Sequence, residues 1–178
     1  MRVERRSSKG LRVVLKLGEA LFFKALPQRL RQILESPEHH RRVCERLFPA
    51  AYSDPKREEE FRRLLGDDLI RRKLESVEVF EESLRNARVR RSRVEIEITP
   101  EQYEYWLGFV NDFRLMLGVE LGIEDDDWGR EFDPTEPMSE DLITLHLLSW
   151  LEEELLRAGD FDLPDLRPED LEGPPEIL

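Results

Sequence analysis

The stretch WLGFVNDFRLMLG, Trp106 to Gly118, has helical character and is apolar on almost every side, yet it holds Asn111, Asp112 and Arg114. An arginine in such a setting can clamp a carboxylate or phosphate through two parallel hydrogen bonds. A pocket around Asp112 and Arg114 is therefore where an enzyme or ligand-binding reading has to be placed. The competing reading is structural, a buried polar network or a helix interface. Glu19, near the start of the first helical block, is a candidate partner for Arg114. Asn111 shares a stripe with Gly108, Gly118 and Gly122, and small residues on one stripe let a second helix approach, from this chain or from another copy. The structural or interface reading carries more weight.

Other residues offer weaker chemistry. The acid run Glu124–Asp127 can bind a divalent cation, since hard cations take oxygen ligands from loops. EF-hand spacing is absent, so a solvated acidic loop is the better reading. His39 and His40 are adjacent, His146 lies in an apolar helix where a core histidine is expected, and no HxxxH or CxxC spacing exists; no metal site is assigned. Cys44 is the single cysteine, which excludes a disulfide within the chain. His40 as a base four residues earlier and Arg41 as a pKa-lowering neighbour would be needed to activate it, so it is kept only as a candidate redox-sensitive thiol. RNARVRRSR is the strongest basic stretch, and its Arg85, Arg88, Arg90, Arg91 and Arg93 are candidate contacts to nucleic-acid phosphates. The alternative is a solvated connector facing an acidic surface. No dinucleotide-binding, P-loop, nucleophile-elbow or zinc-protease motif occurs, which lowers the weight of any enzyme reading, and no cofactor is expected.

The elements that must position these residues follow from periodicity and caps. LRVVLKL (11–17) and VEIEI (94–98) read as two strands, and in the second Val94, Ile96 and Ile98 face one way while Glu95 and Glu97 face the other. Residues 19–36 read as helix, with Pro27 as a boundary or kink, and a short helix follows over 38–46. Asp54-Pro55 starts another helix, and Gly66-Asp67 reads as a stop followed by a new cap. Residues 68–86 carry Ile70, Leu74, Val77, Phe80 and Leu84 on one stripe. Thr99, Pro100 and Gln102 form a capping box for a helix reaching about Leu121. Ser139 caps a last helix, 140–157, that is apolar nearly all round, and Gly159 stops it. The fold class is mainly α with a small two-stranded β-sheet, a helical bundle around two central apolar helices (101–121 and 140–158). The chain divides into a flexible basic N-terminus (1–10), one helical domain (11–158) and an acidic, proline-rich tail (159–178).

Composition bounds the function classes. The chain has 178 residues, a net charge of −12 and 38% charged residues, well above the average of about 25%. Only two asparagines and three glutamines occur, which hints at a thermophile; the excess of arginine over lysine fits a GC-rich genome equally well. Residues 1–100 hold 24 Lys and Arg against 17 Asp and Glu, a balance of +7, whereas residues 101–178 hold 4 against 23, a balance of −19. Such asymmetry fits a protein or nucleic-acid partner, or two ends of one molecule that attract each other. No secretory segment and no apolar run approaching the roughly 20 residues of a membrane span are seen, so a cytoplasmic location is expected.

Three segments carry a family likeness: LFPAAYSDPKREEEFRRLLGDDL, WLGFVNDFRLMLGVELGI and LHLLSWLEEELLRA, in that order. Together they resemble the AosR-like bacterial family, over roughly residues 11–158. The LFPxAY turn and the NDxRLxLG helix are the specific parts. That resemblance implies an actinobacterial setting, gene neighbours that include a Clp-protease adaptor and sulfur metabolism, and a regulator of the oxidative-stress response. It supplies no catalytic residue. The function expected is a non-enzymatic regulatory or adaptor protein that acts through protein–protein contacts, with a homodimer as a candidate assembly. A DNA-contacting regulator using Arg85–Arg93 is the alternative, and an uncharacterised enzyme the second alternative.

Overall fold

The computed structural model describes residues 1–6, 10–123 and 138–159. In chain order they form β1 (Arg2–Arg5), β2 (Leu11–Lys16), α1 (Leu17–Glu35), a 3₁₀ turn (Pro37–His39), α2 (Arg41–Leu47), α3 (Pro55–Arg85), β3 (Arg88–Arg90), β4 (Arg93–Ile98), α4 (Pro100–Glu120) and α5 (Glu140–Ala158). The acid run Glu124–Asp127 and nearly all of the acidic tail lie outside the described residues.

The sheet has four strands, not the two expected, in the order β1-β2-β4-β3 with every pair antiparallel. The two added strands are short and strongly charged, so they show no apolar alternation by which a sequence would reveal them. β1 lies inside the stretch expected to be a flexible N-terminus, and β3 inside the basic connector. Leu11, Val13 and Leu15 of β2 and Val94, Ile96 and Ile98 of β4 are buried on one face. The other face is polar and laced with charge: Arg12 bonds to Glu97 at 2.6 Å and lies 3.6 Å from Glu95. Alternating residues thus give the sheet one dry side; α1 and α3 pack on β2 and β4, and α5 packs on β1.

Pro27, read as a boundary or a kink, lies buried inside α1 and so is not a boundary. One helix does run past its expected end. Gly66 does not interrupt α3, which runs without a break for 31 residues. A helical glycine costs only about 1 kcal/mol, and Asp67, expected to cap a new helix, lies inside α3. At 1.5 Å per residue, α3 is about 46 Å long. Its buried residues, Ser76, Val77, Phe80 and Ser83, all lie in the C-terminal half. The N-terminal half extends beyond the core, and among the described residues the 48–52 turn is bonded along it: Glu58 accepts from the backbone N–H of Ala51 and Tyr52 at 2.9 and 3.0 Å, and Arg62 donates to the Phe48 carbonyl at 2.6 Å.

The bundle has one central helix rather than two. α4 buries Trp106, Phe109, Val110, Phe113, Met116 and Leu117 among α2, α3 and α5. α5 is one-sided: Leu145, Leu148, Leu151 and Leu155 face inward, while Ile143, Trp150 and Leu156 are exposed. His146 falls on that exposed side and is not the core histidine expected. Arg29 of α1 ties the end of α4 to the start of α5, bonding to Glu120 and, at 2.6 Å, to Asp141.

Gly10 opens β2 at a φ of 96°, where a Cβ would lie 2.0 Å from the Ile98 carbonyl oxygen. Both the backbone conformation and the close approach exclude a side chain. Gly10→Ala is expected to lower stability by about 2–4 kcal/mol, read as a fall in the urea midpoint with the slope unchanged.

Candidate functional site

The polar residues of the central helix separate onto two sides. Asp112 is buried and faces α3, where Lys73 Nζ lies 2.6 Å from its Oδ1. The same ammonium sits 5.3 Å from the centre of the Phe48 ring, a cation–π contact. Burial pushes the Asp112 carboxyl above the ordinary aspartate range, and Lys73 works against that rise. Around this pair the seam is tightly packed. Gly108 brings α4 so near α3 that a Cβ would meet Ser76 Oγ at 3.2 Å. Phe80 stacks on Phe109 at 3.9 Å and packs against Trp106 at 4.4 Å, and Trp106 Nε1 donates to Ser83 Oγ at 3.2 Å.

Arg114 points the other way, toward α5. Its Nε donates to Ser149 Oγ at 3.1 Å, and its Nη1 bonds to Glu152. The expected pairing with Glu19 does not occur. Glu19 instead accepts from the N-terminal ammonium at 3.1 Å and from the Lys16 backbone N–H at 2.8 Å, which hold its pKa below the usual carboxylate range against the opposing desolvation. A helix start recruits a carboxylate for its free N–H groups, so Glu19 is spent on the local cap. Asp112 and Arg114 stand out in the sequence, whereas of their partners Ser149 and Glu152 do not. Lys73 alone leaves a signal: it is a charge three residues past Ile70 and four before Val77, on the apolar stripe.

Asn111 and Gly118 do come together. They border a cleft of about 420 Å³ between α4 and α5, with Leu115, Val119, Ile123 and Leu145 as its apolar lining and Arg46, Arg114 and Ser149 as polar groups. A Cβ on Gly118 would meet nothing within 4 Å. Arg46 makes no ion pair among the described residues. The glycine stripe therefore divides: Gly108 serves the α3–α4 seam, and Gly118 borders open space. Asp112, at the buried seam, is not part of the cleft lining.

Cys44 is half-buried, 4.0 Å from the Ile33 carbonyl oxygen. Burial, with a smaller contribution from the charge of Glu38, raises its pKa, opposite to the lowering expected from Arg41. A raised thiol is a poor nucleophile. Among the described residues no group of three or more His, Cys, Asp and Glu could hold a metal ion, and no helix is long and apolar enough to cross a membrane.

The basic stretch becomes a hairpin. Arg85 closes α3 and lies 3.7 Å from Glu81; Arg90 lies 3.9 Å from Glu95. Arg90 pairs with Arg93 across a two-residue turn, and Arg91 at its tip has a φ of 55°, the left-handed region that favours glycine. Arg88, Arg91 and Arg93 make no ion pair among the described residues.

A family model described as "Domain of unknown function (DUF2017)" matches residues 1–159. The chain belongs to this family. The DUF2017 match takes in every described strand and helix and ends at Gly159, the C-cap of α5. No curated protein and no solved structure gives a significant match.

The Lys73–Asp112 pair predicts a specific pattern of stability. Asp112→Leu leaves a cation at the seam without its partner and is expected to cost about 3 kcal/mol, with Lys73→Met costing a similar amount. The double variant Lys73→Met/Asp112→Leu should recover most of that loss. A denaturant double-mutant cycle measures it, and purely additive losses would refute the coupling.

Proposed function

We propose that this protein is a non-enzymatic regulatory or adaptor protein, and that it engages another protein through the cleft between α4 and α5. The cleft carries the reading. Its apolar floor fits an inserted side chain, and Arg46, which makes no ion pair among the described residues, offers a cation at the rim, so the matching segment has an apolar residue beside an acidic one. Buried apolar anchors with polar rims are how such contacts hold. The similarity of three segments to the AosR-like family supports placing this contact in a stress-response regulatory setting. The enzyme reading has less support, because Arg114 is held by Ser149 and Glu152 and Asp112 is held by Lys73.

Gly118→Leu is the sharpest probe. It fills the cleft, and leucine favours the helix over glycine by about 0.5–1 kcal/mol, so the fold is retained. Proteins held by the wild-type chain from an extract of its own cells should be lost with Gly118→Leu and with Arg46→Glu. Retention of the same proteins by all three, or of none by the wild type, would remove the proposal.

A second reading is supported by the β3–β4 hairpin, where a turn residue in a conformation costly for arginine carries a charge into solvent beside Arg88 and Arg93. As a DNA contact, this hairpin would give binding to promoter DNA that weakens with salt and weakens further in Arg90→Ala/Arg91→Ala. No binding at about 50 mM salt would end this reading.

A further inference from the structure

The projecting half of α3 presents a second apolar surface, on the side turned away from the core. Tyr52, Phe61, Leu64 and Leu65 gather along a groove of about 570 Å³ that Arg57 and Glu60 also line. Leu64 is 61% exposed and Leu65 42%, while Phe61 is partly covered by Tyr52, their rings 5.7 Å apart. Arg57, Phe61, Leu64 and Asp68 follow one another at spacings of four, three and four residues. That is the seam spacing of a two-helix coiled coil. Arg62, which holds the 48–52 turn, lies off this seam.

We propose that this face pairs with the same face of a second copy, the two α3 helices running antiparallel about a two-fold axis that passes between Arg62 and Arg63. The sequence is self-complementary in that register. Phe61 meets Leu64 of the other copy, and each Leu64 meets the other Phe61. Arg57 meets the other Asp68 twice over, and one step further out Asp54 meets the other Arg71. Among the described residues Arg57 makes no ion pair and Asp68 bonds only to the exposed Arg71. Parallel pairing or a shift by one turn loses this match, because a two-fold contact must satisfy each pair in both directions. Glu60 and Asp67 oppose each other along one flank and weaken the pair. The seam is also short, at the small end of specific interfaces, so a dissociation constant on the order of 100 µM is expected. This dimer uses a different face from the α4–α5 cleft and stands independently of it.

The register makes an unusual prediction about charge reversal. Arg57→Asp puts two acids opposite each other at both symmetric contacts, and Asp68→Arg puts two arginines there, so each variant alone should stay monomeric. An equimolar mixture restores both contacts. The acid introduced at position 57 of one chain faces the base introduced at position 68 of the other, and the unaltered Arg57 faces the unaltered Asp68. Sedimentation velocity from about 10 µM to about 1 mM should show a concentration-dependent dimer for the wild type, none for either variant and its return in the mixture. A wild type that stays monomeric throughout overturns the proposal. So does a dimer that both single variants keep, or a mixture that fails to restore one.

Discussion

The Lys73–Asp112 pair sets the geometry on which the rest of the molecule depends. A carboxylate buried in the central helix is costly to keep charged, and only one position on α3 brings an ammonium to 2.6 Å from it. The pair therefore pins the rotation and slide of α3 against α4. Gly108 lets the two helices close at Ser76, and Phe80 then stacks on Phe109 and packs against Trp106. A buried ion pair of this kind adds little net stability over an apolar replacement. Its effect here is on register, because a shift of α3 by one residue would strand both charges.

That register decides what the two ends of α3 do. The C-terminal half is fixed into the core and delivers the chain at Arg85 to the β3–β4 hairpin, so the basic residues stand at one edge of the sheet. The N-terminal half is carried past the core, with the 48–52 turn laid along it by Glu58 and Arg62. On the far side of α4, Arg114 is drawn to Ser149 and Glu152, which holds α5 in place and leaves the cleft between them. One helix seam thus generates three separate surfaces: a basic hairpin, an apolar cleft with a cation at its rim and a projecting helix.

Much of the framework is legible because it is written in short-range rules. The capping box at Thr99, the cap at Asp54 and the alternation of Val94, Ile96 and Ile98 are local, and the elements begin where those signals stand. What stays hidden depends on partners far along the chain. Arg2–Arg5 and Arg88–Arg90 are strands only because β2 and β4 offer them edges; nothing in their composition favours a buried face. Gly66 reads locally as a stop, yet the helix on both sides of it outweighs the cost of one glycine. The polar trio is visible as an anomaly in an apolar helix, but its partners lie 39 and 38 residues away, at Lys73 and Glu152. Glu19 reads as a match for Arg114, yet its local duty, capping α1, takes precedence over a distant arginine.

A long helix anchored over one half and free over the other should show that difference in its backbone motion. Amide hydrogen exchange along α3, followed by mass spectrometry at low and high protein concentration, tests it directly. At low concentration residues 74–85 should be strongly protected while residues 57–69 exchange far faster, and raising the concentration should slow exchange in 57–69 alone. Uniform protection along the whole of α3 in the dilute protein would contradict the account.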